Sequence, residues 1–271
     1  KTPQPLTGAG YAQAIRVGDY IFVAGQVPTD FRAGIHPEAQ VNPVFWEGSP
    51  IRRQTDFVLK NLALTLEAAG SGMEQVVKAQ IWLADMADLP RFEDSWRAAF
   101  PQTPPARTLL PCTGYGALGA LLEVNLIALR AGGRVRKEPI NANCPIPLGH
   151  ASLAVRAGDF VFLSGLFAAD GKGLIPAGAV DPGFPYASSS IRAQTEWILD
   201  QADALCRAAG ARLRDAVRQQ VFYTDLREFD ASYRALADRF GEEMPATSVV
   251  QVPGTAVPGC TVVADLWVYA G

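Results

Sequence analysis

Arg107, in Pro104-Pro105-Ala106-Arg107-Thr108, and Glu123, in Leu121-Leu122-Glu123-Val124-Asn125-Leu126, have the residue types and settings that suit chemistry on a small anion. Arginine presents a planar fork that grips a carboxylate through two charge-assisted hydrogen bonds. By itself an arginine in a short segment between elements is most often solvated surface. An acid inside an apolar strand needs a partner or a function, and pairing with a charge across the sheet is the simpler of the two. Alternation along the strand puts Glu123 and Asn125 on one face and Leu122, Val124 and Leu126 on the other. A carboxylate in such a setting can orient a water and take its proton.

What singles these residues out is their loss in a second copy of the same text. Pro105-Ala106-Arg107-Thr108 returns 140 residues later as Pro245-Ala246-Thr247-Ser248. The same offset pairs Gly18-Asp19-Tyr20 with Gly158-Asp159-Phe160, Gln54-Thr55 with Gln194-Thr195, and Gly119 with Gly259. A period this long is one small domain per copy rather than a solenoid repeat. Between the copies Arg107 becomes Thr247, Glu123 becomes Val263, and Tyr11 becomes Ala151, whereas Asn125 keeps a polar counterpart in Asp265. Joint loss of three polar positions fits one shared site, with the second copy kept as frame.

Each copy reads as strand, helix, strand, helix, strand. In the first, strands are expected at Tyr20–Gly25, Val76–Leu83 and Leu121–Leu129, and helices at Arg52–Ala69, stopped by Gly70, and Leu89–Phe100. The second repeats this at 160–165, 191–209, 216–223, 229–240 and 261–269. This is an α+β pattern, each domain a β-sheet with two helices packed on one face. Long loops are expected at Pro28–Pro50 and Ala168–Ser188. Domains are expected at 1–132 and 149–271, with residues 133–148, rich in glycine, proline and basic residues, as the linker.

Composition narrows the function. A formal charge of −3 over 271 residues, with no basic, aromatic-lined patch, speaks against nucleic acid as partner. The most apolar stretch, 117–131, is interrupted by Glu123 and Asn125 and is too short to span a bilayer, and the polar start does not read as a signal peptide. Cys112, Cys144, Cys206 and Cys260 form no Cys-x-x-Cys pair, so no metal site is expected, and unpatterned thiols suit a reducing cytoplasm. His36 and His150 carry no specific reading.

Taken together, Gly10-Tyr11-Ala12-Gln13-Ala14, Val23-Ala24-Gly25-Gln26-Val27-Pro28, Pro105-Ala106-Arg107-Thr108 and Leu122-Glu123-Val124-Asn125-Leu126-Ile127-Ala128 make the chain resemble the RidA/YjgF family of enamine/imine deaminases. The resemblance covers both halves. It implies two tandem chorismate-mutase-like domains and trimeric closure with pockets between neighbouring domains. For this chain that means a homotrimer of tandem chains, quasi-hexameric in outline. It further implies hydrolysis of a small carboxylate-bearing enamine or imine, 2-aminoacrylate- or aminomuconate-like, without a cofactor. By the same resemblance Arg107 binds the substrate carboxylate, Glu123 positions the water, and Tyr11 and Gly25 line the pocket. Glu93 stands where the family has an asparagine, and Leu109 where the prototype has a cysteine. A non-catalytic ligand- or partner-binding protein with the same fold is the alternative.

Overall fold

The computed structural model describes residues 11–29, 34–42, 44, 48–144, 149–170, 173, 175 and 191–271. Most of the loop expected at 168–188, and part of the one expected at 28–50, lies outside these residues. Among the described residues, two sheets and four α-helices make up two α+β domains. The first sheet runs in the order β1 (Ala14–Val17), β2 (Tyr20–Gln26), β5 (Leu122–Leu129), β3 (Val76–Leu83), β4 (Ala106–Pro111). The second has the order β10 (Ala246–Gln251), β9 (Ala216–Tyr223), β11 (Val262–Tyr269), β8 (Phe160–Leu163), β7 (Ala154–Ala157), β6 (Lys137–Ile140). It is mixed: β10 runs parallel to β9, whereas β9–β11, β11–β8 and β8–β7 are antiparallel.

The repeated residues explain the repeated frame. Val17 pairs with Tyr20 across a two-residue turn whose Gly18 has φ of 59°, a conformation hairpin turns require and glycine adopts without strain. Gly158 does the same at φ 57° between β7 and β8. Helix α1 (Pro50–Ala68) starts on a proline, whose missing N–H costs nothing in the first turn. It ends before Gly70, which has φ of 83°. Its buried stripe, Ile51, Val58, Leu62 and Leu66, packs on β2 and β5. Helix α2 (Leu89–Ala99) lies beside α1, closed by the rings of Phe92, Trp96 and Phe100 with successive centroids 5.6 and 4.4 Å apart. In the second domain α3 (Ile191–Ala208) and α4 (Phe229–Phe240) repeat the pair over Val161, Val221, Ala264 and Leu266.

The shared Gln-Thr pair acts as a clamp. Gln54 Nε2 donates to the Gly119 carbonyl at 3.0 Å, and its Oε1 accepts from the Leu121 N–H at 2.8 Å. Gln194 makes the same two bonds to Gly259 (3.2 Å) and Thr261 (2.9 Å). Each is worth about 1 kcal/mol. Together they fix where the last strand of each domain begins, and hence where Glu123 sits in the first.

Two sequence expectations need correction. Arg107 does not lie in a loop. Residues 106–111 form strand β4, because the prolines before them hold the chain extended and Thr108, Leu109 and Leu110 suit a pleated, buried surface. The expected linker 133–148 is not irregular throughout, since residues 137–140 form β6 at the edge of the second sheet. Pro139 is tolerated there because an edge strand has one side without ladder bonds. By contacts the chain divides into residues 1–105 with 111–137, and residues 106–110 with 138–271. The segment of Arg107, which the repeat assigns to the first copy, is therefore counted in the second compact unit.

Candidate active site

Glu123 is placed by three features of the first unit. Strand β5 sends Leu122 and Val124 into the core, so Glu123 emerges on the opposite face, paired with Trp82 of β3. The β2–β5 register shifts between Val23 and Gln26, and Ala24-Gly25 form the irregularity. Such a bulge re-aims the neighbouring groups. It brings Gly25 so close to Glu123 that a Cβ on residue 25 would overlap Oε1 and lie 2.9 Å from Cδ. Gly25 is thus required for this placement of Glu123, whose carboxylate fills the place where any other side chain would begin.

The Glu123 carboxyl is half-buried, and burial raises it from its ordinary value. The phenol of Tyr115 is shifted upward too, first by burial and then by its neighbours Cys112 and Glu123. Its hydroxyl donates to the Leu121 carbonyl at 3.4 Å, and Cys112 Sγ donates to the Gly114 carbonyl at 3.0 Å. Tyr115 and Cys112 were not singled out from sequence. The available signal was Gly114-Tyr115-Gly116, an aromatic held between two glycines just ahead of the acidic strand.

Arg107 falls in the second unit, and its side chain is buried, with 6% of the residue exposed. Its N–H donates to Ser164 Oγ at 2.8 Å, and its carbonyl accepts from the Gly165 N–H at 3.0 Å. Ser164 Oγ in turn donates to the Ser152 carbonyl at 2.6 Å. The next residue, Thr108, donates to Asp265 Oδ2 at 2.5 Å and packs against Gly165, where an added Cβ would lie 3.0 Å from its Cγ2. Main-chain bonds on both sides of Arg107 fix its register, leaving the guanidinium as the part that varies between copies. At Thr247 the hydroxyl is instead spent on the Pro245 carbonyl and on Gln219 Nε2.

Of the expected site residues, Gly25 and Glu123 are therefore brought together. Tyr11 is half-exposed just ahead of β1, and Glu93 sits partly buried on α2. Among the described residues, no group of three or more His, Cys, Asp or Glu could hold a metal, and no helix is long and apolar enough to cross a membrane.

The Gly25–Glu123 contact yields a direct test. Gly25→Ala should leave the fold intact, because the obstructing atoms are the far end of a flexible side chain, but must turn the carboxylate away. We expect an unchanged melting temperature and, if Glu123 is a reacting group, a loss of turnover on the order of tenfold or more, since misplacing such a group by about 1 Å is that costly. Unchanged turnover would show that the position of Glu123 does not matter.

A family model described as endoribonuclease L-PSP matches the chain twice, over residues 2–130 and 142–262. A RutC family protein of Saccharolobus solfataricus is 32% identical over 131 residues, covering 48% of this chain and 94% of that protein. Reactive Intermediate Deaminase A, chloroplastic, of Arabidopsis thaliana is 31% identical over 124 residues, covering 46% of this chain and 60% of that protein. Among solved structures, RidA from an Antarctic Psychrobacter is 29% identical with a TM-score of 0.41, covering 49% of this chain and 98% of that one. With both copies matched by the one model, the chain belongs to the endoribonuclease L-PSP family, the RidA/YjgF/RutC group, as a tandem-repeat member.

Proposed function

We propose that the chain is a cofactor-independent deaminase that hydrolyses a small carboxylate-bearing enamine or imine to a keto acid and ammonia through the polar residues of the first copy. The observation that carries this reading is the Glu123 carboxyl, half-buried, raised by burial and set against Gly25. A carboxylate poised nearer neutrality than usual can both accept and return a proton. The reaction type agrees with the name of the Arabidopsis relative.

The substrate class follows from what each residue offers. Arg107 grips the carboxylate and so fixes the adjacent C=N carbon, orientation being a large share of such catalysis. The protonated imine is already electrophilic. Water adds to its carbon while Glu123 takes the water's proton, giving a tetrahedral aminoalcohol. Glu123 then returns that proton to nitrogen, the C–N bond breaks and ammonia leaves, and the hydroxyl proton passes back to the Glu123 carboxylate as the C=O forms. Tyr11 and Glu93 shape the pocket and choose among substrates of 2-aminoacrylate and aminomuconate size. The working assembly is a homotrimer of tandem chains, in keeping with the symmetric closure of most oligomers.

The test is ammonia release above the spontaneous rate across a panel of carboxylate-bearing imines and enamines. Acceleration of at least one member supports the reading; saturable binding with no acceleration of any would make the protein a ligand-binding member instead. The second copy should act as frame. Thr247→Ala should change kcat/KM by less than about tenfold, or roughly 1.4 kcal/mol. A loss as large as that for substitution at Arg107 would reveal a working site in the second copy.

A further inference from the structure

In the first copy the chain leaving β5 is strapped down by a few polar groups. The Ala131 N–H donates to the Gly70 carbonyl at 2.9 Å. The Asp19 carboxylate then accepts the N–H groups of Arg134 and Val135, at 2.6 and 3.0 Å, and Arg130 Nε at 3.1 Å. Gly133 is pressed against that carboxylate, where an added Cβ would lie 2.8 Å from Asp19 Cγ. Lys137 Nζ ends the strap on the carbonyls of Thr103 and Glu74, at 2.6 and 3.3 Å, and the Glu74 charge favours the ammonium form. Val77 and Leu129, in the strands that end here, are 0% exposed.

The second copy repeats the seat. Asp159, Gly210 and Arg214 stand at the positions of Asp19, Gly70 and Glu74. The strand end is held alike, since the Ala270 N–H donates to the Asp159 carbonyl at 2.6 Å as the Arg130 N–H does to the Asp19 carbonyl at 2.8 Å. Here, however, there is a groove of about 570 Å³, lined by residues 210–217 and 269–271. Val217 and Tyr269, the counterparts of Val77 and Leu129, are 43% and 45% exposed. The exposed Asp159 carboxylate accepts no hydrogen bond among the described residues. Of the ionisable residues lining the groove, Arg212 and Asp215 pair with each other at 2.7 Å. Arg214 is exposed and in no ion pair among the described residues.

We propose that this groove binds an extended acidic peptide segment of a partner protein, laid down as residues 131–137 are in the first copy. A glycine of the peptide rests against Asp159, and the next two main-chain N–H groups donate to its carboxylate. Such charge-assisted bonds are about twice as strong as neutral ones. Two residues further on, where the first copy sets Lys137 beside Glu74, the reversed charge of Arg214 selects an aspartate or glutamate. Val217 and Tyr269 supply apolar contact along the way. Main-chain bonds give the affinity and the acidic side chain the specificity, as in other extended-peptide sites. The second copy thereby has a binding role of its own.

The probe is a fluorescein-labelled peptide with the sequence of residues 131–137 but glutamate in the last place, titrated with the full chain and followed by anisotropy. It should bind saturably, at least about tenfold tighter than the peptide with the native lysine, the worth of one charge-assisted bond. Arg214→Glu should reverse that order. Asp159→Asn, at an exposed turn position, should keep the melting temperature and weaken the acidic peptide at least about tenfold. A scrambled peptide of the same composition should not bind. Absence of saturable binding up to millimolar protein, equal affinity for the acidic, lysine and scrambled peptides, or affinity unchanged in folded Asp159→Asn would each overturn the proposal.

Discussion

Glu123→Gln is expected to lower kcat on a carboxylate-bearing imine by roughly 100- to 10,000-fold, the usual worth of a positioned general base, with little change in KM. Glutamine keeps the shape beside Gly25 but cannot take the proton of water. The loss should fall on kcat because the acid acts on water rather than on substrate binding. An effect confined to KM would make Glu123 a binding group. The pH profile adds a second readout. Burial raises this carboxyl above 4.5, and the base form is the deprotonated one. Activity should therefore fall, as pH drops, at a higher pH than for an ordinary glutamate. The stability effect has the opposite sense. A folded pKa above the unfolded one contributes stability that is complete below 4.5 and lost as pH rises through the folded value. At neutral pH the ionised acid is thus a cost, and Glu123→Gln should melt no lower than the wild type.

Replacing Arg107 should have the next largest effect, and the choice of replacement matters. Two charge-assisted bonds of about 1.5–3 kcal/mol each set a loss on the order of 100- to 10,000-fold in kcat/KM for Arg107→Ala. In a solvated loop that variant would fold normally. In the buried strand β4 it opens a void in a packed unit, with a stability cost of about 1–3 kcal/mol. Arg107→Lys keeps the stem and the charge and loses only the planar fork. It should fold like the wild type and still lose about tenfold or more, chiefly on substrates that carry a carboxylate. Full kcat/KM in a folded Arg107→Lys would remove the carboxylate role from this residue.

The frame was legible in the sequence where period and punctuation agree. The apolar spacing of α1, its stop at Gly70, the core strands β3, β5, β9 and β11, and the Gln54 and Gln194 positions all follow from the repeat and from helix and strand periodicity. Strands β4 and β10 were not legible, because they are short and follow prolines that read as loop. Strand β6 was hidden by its composition, and only pairing with β7 makes Lys137–Ile140 a strand. Alternation put Glu123 on the polar face correctly, since it needs only local geometry. Its contact with Gly25 depends on a register shift between two strands about a hundred residues apart. The unequal cover of β4 and β10 is the least readable feature of all. Both carry the same motif, and what separates them is tertiary surroundings.

The most direct test of the account is the initial rate of ammonia release from 2-aminoacrylate, corrected for spontaneous hydrolysis, for the wild type, Glu123→Gln and Thr247→Ala measured side by side. The account predicts acceleration by the wild type, a rate within about tenfold of it for Thr247→Ala, and for Glu123→Gln a loss of at least about 100-fold. Equal rates for the wild type and folded Glu123→Gln, or a loss on Thr247→Ala as large as that on Glu123→Gln, would contradict it.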